Sequence, residues 1–225
     1  MTDFNLQLVH DTWQPHKSND FDLKLRGQAF IDQTPIDVVS ALTYLSEASS
    51  VDALKSLQLR FNGFYAWVEQ TPGRIRAAVD HIRSIPLFYA SIKGKFYLSD
   101  DAEWVRQQIG DKEMDPVAKD EFQLAGYVTG QDTLFPNIKQ LQAGECLVAN
   151  QTSQGVVVET HRYYRFLHTE PETYDETELR TRLDKAAVDS IQRLVDYANG
   201  RQIVIPLSGG YDSRLIATLL KRVGY

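Results

Sequence analysis

The stretch 203–216 constrains the fold of this chain most. It begins with an apolar run, continues with Ser-Gly-Gly-Tyr-Asp-Ser, and leads directly into a helical pattern. Adjacent glycines let the backbone adopt a positive φ and come close to a ligand. Consecutive backbone N–H groups in such a turn can bind an anion, and a helix that begins near Asp212 points its free N–H groups at the same place. The hydroxyls of Ser208 and Ser213 add donors. The layout predicts a loop that holds a phosphate chain.

A simple tight turn is the alternative, because Gly-Gly pairs often join a strand to a helix and Asp212 can serve as an N-cap. The strand–loop–helix context favours phosphate binding, since a short motif gains weight only in the right surroundings. No Gly-Lys-Ser/Thr follows the glycines, so the loop is not a Walker A loop. It does not fit Gly-x-Gly-x-x-Gly either, which argues against a dinucleotide cofactor.

Residues 208–213 resemble the pyrophosphate loop of the asparagine synthetase family, and the resemblance extends far upstream. Residues 80–89 are similar to the family segment R-D-x-x-G-x-x-P-L-Y-Y. The other stretches that match the family pattern are 61–67, 95–99, 135–144 and 162–164. The resemblance covers nearly the entire chain, weakly over the first 60 residues and strongly at the end.

The resemblance implies two domains. Residues 1–166 would form an α+β glutaminase-like domain, with two packed antiparallel sheets flanked by helices as in the N-terminal-nucleophile hydrolases. Residues 167–225 would form the truncated beginning of an α/β doubly wound ATP-binding domain, after a polar, proline-containing linker. The apolar strand predicted at 202–207 needs neighbours on both edges, and one helix–strand–helix unit cannot supply them. We therefore expect the chain to be a fragment of a longer protein.

The function implied is an ATP-dependent ligase that adenylates a carboxylic acid, releases AMP and pyrophosphate, and forms an amide with ammonia or an amine. ATP and Mg²⁺ are the expected cofactors. Asp212 is the expected Mg²⁺ ligand, because a hard cation prefers oxygen. The residues expected to bind ATP and pyrophosphate are Leu207, Ser208, Gly209, Gly210, Asp212 and Ser213.

The family's glutaminase chemistry requires a cysteine directly after the initiator methionine and an Asn-Gly pair that stabilises the oxyanion. This sequence has Thr2 at the first place and Arg26-Gly27 at the second, so only Gly27 remains of the oxyanion pair. An exposed N-terminal threonine can act as a nucleophile in other enzymes, but the amide donor is missing here. We predict that the glutaminase centre is inactive, that Arg26 fills the vacated pocket or pairs with an acidic neighbour, and that Cys146 is a core residue.

Several functions stay open at this point. Asparagine synthesis is the default that the resemblance implies. Relatives without the cysteine include β-lactam-forming synthetases and lasso-peptide cyclases, so peptide or lactam cyclisation of a different acid is an alternative. The N-terminal domain is then a non-catalytic scaffold or a partner-binding module. An ATP pyrophosphatase with an unrelated substrate is a third reading, and the glutaminase-like domain argues against it.

Composition excludes other classes. The net charge is −6 and the charges form no long runs, so the sequence predicts neither nucleic-acid nor membrane-surface binding. The start lacks a secretory signal, and no apolar run approaches the ~20 residues of a membrane span. The single cysteine excludes an intramolecular disulfide, and the five scattered histidines suggest no metal site. We expect a soluble cytoplasmic protein, whose oligomeric state the sequence leaves open.

Apolar periodicity predicts the elements. Strands are expected at 6–8, from 21 to near 29–31, at 145–149 and at 156–160, and a single four-strand meander at 63–68, 75–80, 86–92 and 95–99. Helices are expected from Pro35, at 51–59, 101–109 and 115–124, and from 212. A capping box formed by Thr173 and Glu176 is expected to open a long helix that Gly200 ends.

Overall fold

The computed structural model describes residues 3–18 and 21–225, which form two compact units that divide between Phe166 and Leu167. The strands of the first unit are β1 Phe4–Gln7, β2 Gln14–Lys17, β3 Asp22–Ile31, β4 Thr34–Ile36, β5 Phe61–Thr71, β6 Arg74–Val79, β7 Phe88–Ile92, β8 Lys95–Ser99, β9 Lys139–Gln140, β10 Glu145–Thr152 and β11 Gly155–Arg162. Its helices are α1 Val38–Glu47, α2 Val51–Arg60, α3 Ala102–Ile109 and α4 Pro116–Ala125.

The strands of the first unit form two sheets. The large sheet has the order β11-β10-β6-β5-β3-β2, with β4 also paired to β3, and it is antiparallel throughout. The small sheet has the order β1-β8-β7-β9. Its β1–β8 pair is parallel, so the prediction of two wholly antiparallel sheets is wrong for this pair.

The predicted four-strand meander is also wrong, because β5 and β6 belong to the large sheet while β7 and β8 belong to the small one. The chain changes sheets at Asp80, whose buried carboxylate accepts hydrogen bonds from the backbone N–H groups of Tyr65, Ile82 and Ser84. These bonds hold a turn in place of a hairpin, so the next strands leave the large sheet.

The main core lies between the two sheets, where buried side chains of β5, β6 and β10 meet those of β1, β7 and β8. A second core joins the other face of the large sheet to α1 and α2. On the outer face of the small sheet, Val105 of α3 packs against Ala90 of β7. These layers confirm the predicted mixed α+β architecture of two sheets with helices outside.

The helices of the first unit begin at residues that sequence rules favour. Asp37, Ser50, Asp101 and Asp115 are the N-caps of α1 to α4, and each accepts a backbone hydrogen bond in the first turn. The predicted helices at 51–59, 101–109 and 115–124 are confirmed to within a residue or two.

The second unit contains α5 Glu176–Ala198 and α6 Tyr211–Arg222. Ile191, Leu219 and Leu220 form the buried contact between the two helices. Asp175 caps α5 through the N–H groups of Thr177 and Glu178, so the predicted Thr173 capping box is wrong. The helix ends at Ala198, and its C-cap Asn199, the residue before Gly200, is in the left-handed region.

The segment 202–207 forms no strand, so the predicted strand buried on both faces is wrong for the described residues. Ile203 and Ile205 pack against the helices, whereas Val204 is 77% exposed and Leu207 is 67% exposed. Strand hydrogen bonds require a neighbouring strand, and none in the described part of this unit pairs with the segment. No helix among the described residues has the length and apolar character to span a membrane.

Candidate functional site

The loop ahead of α6 brings together the six residues predicted to bind phosphate. Gly209 has φ +83°, a backbone conformation that residues with a side chain rarely adopt. Gly210 has an extended backbone and is the N-cap of α6. Because Gly210 has no side chain, no cap hydrogen bond occupies the first turn of the helix. The loop is exposed from Leu207 to Asp212. The N-terminal end of a 12-residue helix is thus open to an anion.

Ser213 lies in the first turn of α6 and has an unusual environment. The residue is 9% exposed, and its buried hydroxyl oxygen has no hydrogen-bond partner among the described residues. Buried polar side-chain atoms are nearly always paired, so an unpaired one calls for an explanation. A ligand oxygen held at the N-terminal end of α6 would supply the missing partner.

Arg214 adds a positive charge that the sequence interpretation missed. Its guanidinium donates to the carbonyl oxygen of Gly209 and lies 5.5 Å from the centre of the Tyr211 ring. The signal was available, since a cation directly follows the Ser-Gly-Gly-Tyr-Asp-Ser motif. Arg214 both stabilises the turn and favours an anionic ligand.

Asp212 is exposed in the first turn of α6, as the predicted Mg²⁺ ligand must be. No group of three or more histidine, cysteine or carboxylate side chains that could hold a metal occurs among residues 3–18 and 21–225. Mg²⁺ is commonly bound by one or two carboxylates together with phosphate oxygens and water. A single exposed carboxylate such as Asp212 fits this mode of binding, in which the cation arrives with a phosphate chain.

Gly27 lies in the middle of β3, opposite Tyr65 of β5, with φ +84°. A Cβ at this position would lie 2.0 Å from the carbonyl oxygen of Phe64. A Cβ at Gly63, on the neighbouring strand β5, would lie 2.2 Å from the carbonyl oxygen of Gln28. The close approach of two strands thus requires Gly27, whatever its role toward an oxyanion.

Arg26 pairs with Asp100, as the sequence interpretation expected of an acidic neighbour. The guanidinium lies 3.1 Å from the carboxylate, whose side chain is 3% exposed. Asp100 also accepts hydrogen bonds from the N–H groups of Val9, His10 and the Trp13 indole. Arg26 and Asp100 line an open cleft of about 670 Å³. In place of an amide donor, the cleft thus contains an ion pair that fixes the β1–β2 loop.

Asp3 lies far from Gly27, the residue that remains of the expected oxyanion pair. The Asp3 carboxylate, just before β1, accepts a hydrogen bond from the Gln151 side chain, and the backbone N–H of Gln151 donates to Gly73 in the β5–β6 turn. Gly27 lies opposite Tyr65, six residues before the end of β5. At about 3.3 Å per residue, Asp3 and Gly27 are separated by roughly 20 Å along the strands. Thr2 lies outside the described residues.

Cys146 of β10 is fully buried, as predicted for a core residue. Burial, together with the neighbouring Glu145 carboxylate, raises the pKa of the thiol to about 11. A thiol with that pKa is protonated at neutral pH and does not act as a nucleophile.

Comparison with known proteins gives one family match, to the glutamine amidotransferase domain, over residues 22–164. Among solved structures, the glutamine phosphoribosylpyrophosphate amidotransferase from B. subtilis, complexed with ADP and GMP, is 15% identical, with a TM-score of 0.37 over 71% of this chain and 32% of that one. An allosteric regulatory enzyme of purine biosynthesis is 14% identical, with a TM-score of 0.39 over 68% of this chain and 31% of that one. The chain thus spans about a third of the length of these structures. No curated protein matches it.

Proposed function

The chain belongs to the family of glutamine amidotransferase domains, and from this premise we propose that it is part of an asparagine-synthetase-like, ATP-dependent ligase whose glutaminase centre is inactive. The ligase forms an amide from a carboxylic acid and a nitrogen nucleophile. The first unit is the amidotransferase-type domain. The second unit belongs to the ATP-binding domain, and the enzyme works in the cytoplasm.

The loop ahead of α6 is the observation on which the ligase proposal depends. It combines a left-handed Gly209, an N-cap without a side chain, and the unpaired hydroxyl of Ser213. Arg214 adds a cation to the same loop. All four features would favour a bound anion, and Arg214 also stabilises the turn through its hydrogen bond to Gly209.

ATP would supply the adenylyl group that activates the carboxylic acid, with pyrophosphate as the leaving group. The backbone N–H groups that follow Gly209 and Gly210 would hold the phosphate oxygens, and the Ser208 and Ser213 hydroxyls would donate to them. Asp212 would bind Mg²⁺ that accompanies the phosphates. These groups would stabilise the negative charge that develops on the departing pyrophosphate.

The state of the amidotransferase-type domain supports a nitrogen source other than glutamine. Arg26 stands where the amide donor is required, and its ion pair with Asp100 occupies that position. An ammonia molecule or an amine on the substrate would then supply the nitrogen. The Arg26–Asp100 pair also favours the alternative in which this domain is a non-catalytic scaffold or partner-binding module and the ligase cyclises a peptide or a lactam.

ATP binding and pyrophosphate exchange test the proposal. The natural gene product that carries this sequence should bind ATP only with Mg²⁺ in a calorimetric titration. It should exchange labelled pyrophosphate into ATP when its acid substrate is present. Aspartate with ammonia tests asparagine synthesis, and a panel of amine-bearing acids tests cyclisation. An absence of Mg²⁺-dependent ATP affinity would overturn the ligase assignment, and glutamate release from glutamine would overturn the inactive glutaminase.

A further inference from the structure

A second cleft, away from the Arg26 cleft and outside the second unit, lies on the helix-covered face of the large sheet. It has a volume of about 480 Å³ and is bounded by Phe21, by the last turns of α1, by the end of β5 and by the start of β6. Its apolar wall includes Phe21 and Leu42, and Thr43 and Ser46 also line it, with hydroxyls that donate to the carbonyl oxygens of Val39 and Thr43 within α1. Clefts of roughly 300–1,000 Å³ with apolar walls and a few convergent polar groups are typical of small-molecule sites.

The charged floor of this cleft is rigid and electrically balanced. Glu69 and Arg76 form a bidentate pair with N–O distances of 2.6 and 2.7 Å. The same guanidinium donates to the carbonyl oxygens of Ala48 and Leu45. Both carboxylate oxygens and three guanidinium nitrogens are thereby occupied, so neither side chain is available as the main contact of a ligand.

Arg74 sets the sign of the charge in the cleft. Two arginines and one glutamate line it, and because Arg76 and Glu69 neutralise one another, the charge of Arg74 is left over. The Nε of Arg74 is buried and has no hydrogen-bond partner among the described residues. A guanidinium that lines a cleft together with an aromatic ring and an aliphatic side chain is suited to an anion that has an apolar body.

We propose that this cleft binds a small organic anion, a carboxylate or a phosphate ester, whose charged group pairs with the Arg74 guanidinium. The apolar body of the ligand packs against Phe21 and Leu42. Thr43 and Ser46 border the ligand, and their hydroxyls keep their hydrogen bonds to the carbonyl oxygens of Val39 and Thr43. This site is independent of the ATP loop, so its presence does not depend on the ligase assignment.

Titration of the chain with three probes at low ionic strength tests the site. Benzoate and phenyl phosphate carry the two candidate charged groups on the same ring, and benzyl alcohol is the neutral counterpart. Binding is followed by the arginine Nε–H signals in ¹H–¹⁵N spectra. We expect saturable binding of one or both anions with a shift of the Arg74 signal, and no saturation with benzyl alcohol. The stronger anion identifies the charged group.

Variants separate this site from general surface attraction. Arg74→Met should weaken binding by at least about tenfold, the loss expected for a charge-assisted contact of roughly 1.4 kcal/mol. Arg60→Met, which removes an exposed arginine at the end of α2, should leave binding unchanged. Ser46→Trp should block the cleft and keep Arg74, which covers the case in which the methionine variant fails to fold. Equal affinity in the Arg74 and Arg60 variants, unimpaired binding to Ser46→Trp, or no saturable binding of either anion overturns the proposal.

Discussion

Glu69 of β5 and Arg76 of β6 face each other across the strand pair, with side chains only 5% and 6% exposed. The guanidinium also donates to the carbonyl oxygens of Leu45 and Ala48, at the C-terminal end of α1. One ion pair therefore satisfies its own charges and also the carbonyl groups that the last turn of a helix leaves unpaired. It joins the large sheet to the helix layer.

Breaking this pair should destabilise the first unit strongly. Arg76→Met leaves the buried Glu69 carboxylate without a partner, and the expected loss is about 3–5 kcal/mol in the free energy of unfolding. Urea unfolding measures the loss. The matched control is Arg180→Met, because Arg180 and Glu176 are 78% and 71% exposed, and such pairs contribute at most about 1 kcal/mol. Equal losses in the two variants would show that the buried pair contributes no more than a surface one.

Gly27→Ala should also destabilise the first unit, because its Cβ would lie 2.0 Å from a backbone oxygen that cannot rotate away. We expect a loss above about 3 kcal/mol from this clash together with the cost of a positive φ. Gly110→Ala is the control, since Gly110 has φ +75° and nothing within 4 Å, and the positive φ alone costs roughly 1–2 kcal/mol. The comparison uses urea midpoints. Similar losses would mean that the β3–β5 approach relaxes easily, and Gly27 would then need another explanation.

Restoring the family's catalytic residues should not restore glutaminase activity. Thr2→Cys with Arg26→Asn supplies the nucleophile and the amide donor. However, Asp3 is hydrogen-bonded to Gln151, and Gly27 lies far from that hydrogen bond along the strands. The double variant should release glutamate from glutamine no faster than the unaltered chain in a coupled assay. Asp100→Asn, which keeps residues 2 and 26, controls for loss of the ion pair alone. Measurable turnover by the double variant would show that the amino-terminal segment reaches Gly27.

The elements that sequence predicted best are those fixed by local signals. Asp101 and Asp115 cap α3 and α4, and Gly110 and Gly126 end them in the left-handed conformation, so periodicity and caps were enough. The β10–β11 hairpin follows from its polar turn in the same way.

The features that sequence missed depend on contacts between distant residues. The division of the predicted meander results from the Asp80 carboxylate, whose three backbone partners cannot be read from periodicity. At the candidate site, the glycines and Ser213 were predicted from the motif, and the role of Arg214 was not. The backbone of Arg83 is another feature that the sequence did not reveal. Arg83 has φ +58° at the position where the family segment R-D-x-x-G-x-x-P-L-Y-Y has glycine.

Ser213→Ala distinguishes a ligand-binding hydroxyl from a structural one. Because the hydroxyl is buried without a partner, its removal should change the free energy of unfolding by less than about 1 kcal/mol. The same change should weaken Mg²⁺-dependent ATP binding by roughly tenfold, as expected when a hydrogen bond to a charged oxygen is lost. Ser190→Ala, whose exposed hydroxyl donates within α5, should alter neither quantity. A large loss of stability with unchanged ATP affinity would make Ser213 a structural residue.

His81 should make the stability of the first unit depend on pH. Its ring packs against those of Tyr163 and Tyr164, with centroid distances of 5.6 and 4.4 Å. Burial lowers its pKa below the ordinary 6.5, and the Asp80 carboxylate opposes this shift only in part. The folded state therefore binds the proton less readily than the unfolded state. The contribution of His81 to the free energy of unfolding is thus complete above pH 6.5 and is lost as the pH falls through the lowered pKa.

Urea unfolding at a series of pH values should show a smaller acid-induced loss of stability in His81→Phe, which keeps an aromatic ring, than in the unaltered chain. His168→Phe, at an exposed position in the second unit, should leave the pH dependence of the first unit as it was. An unchanged pH dependence in the His81 variant would assign the acid sensitivity to other groups.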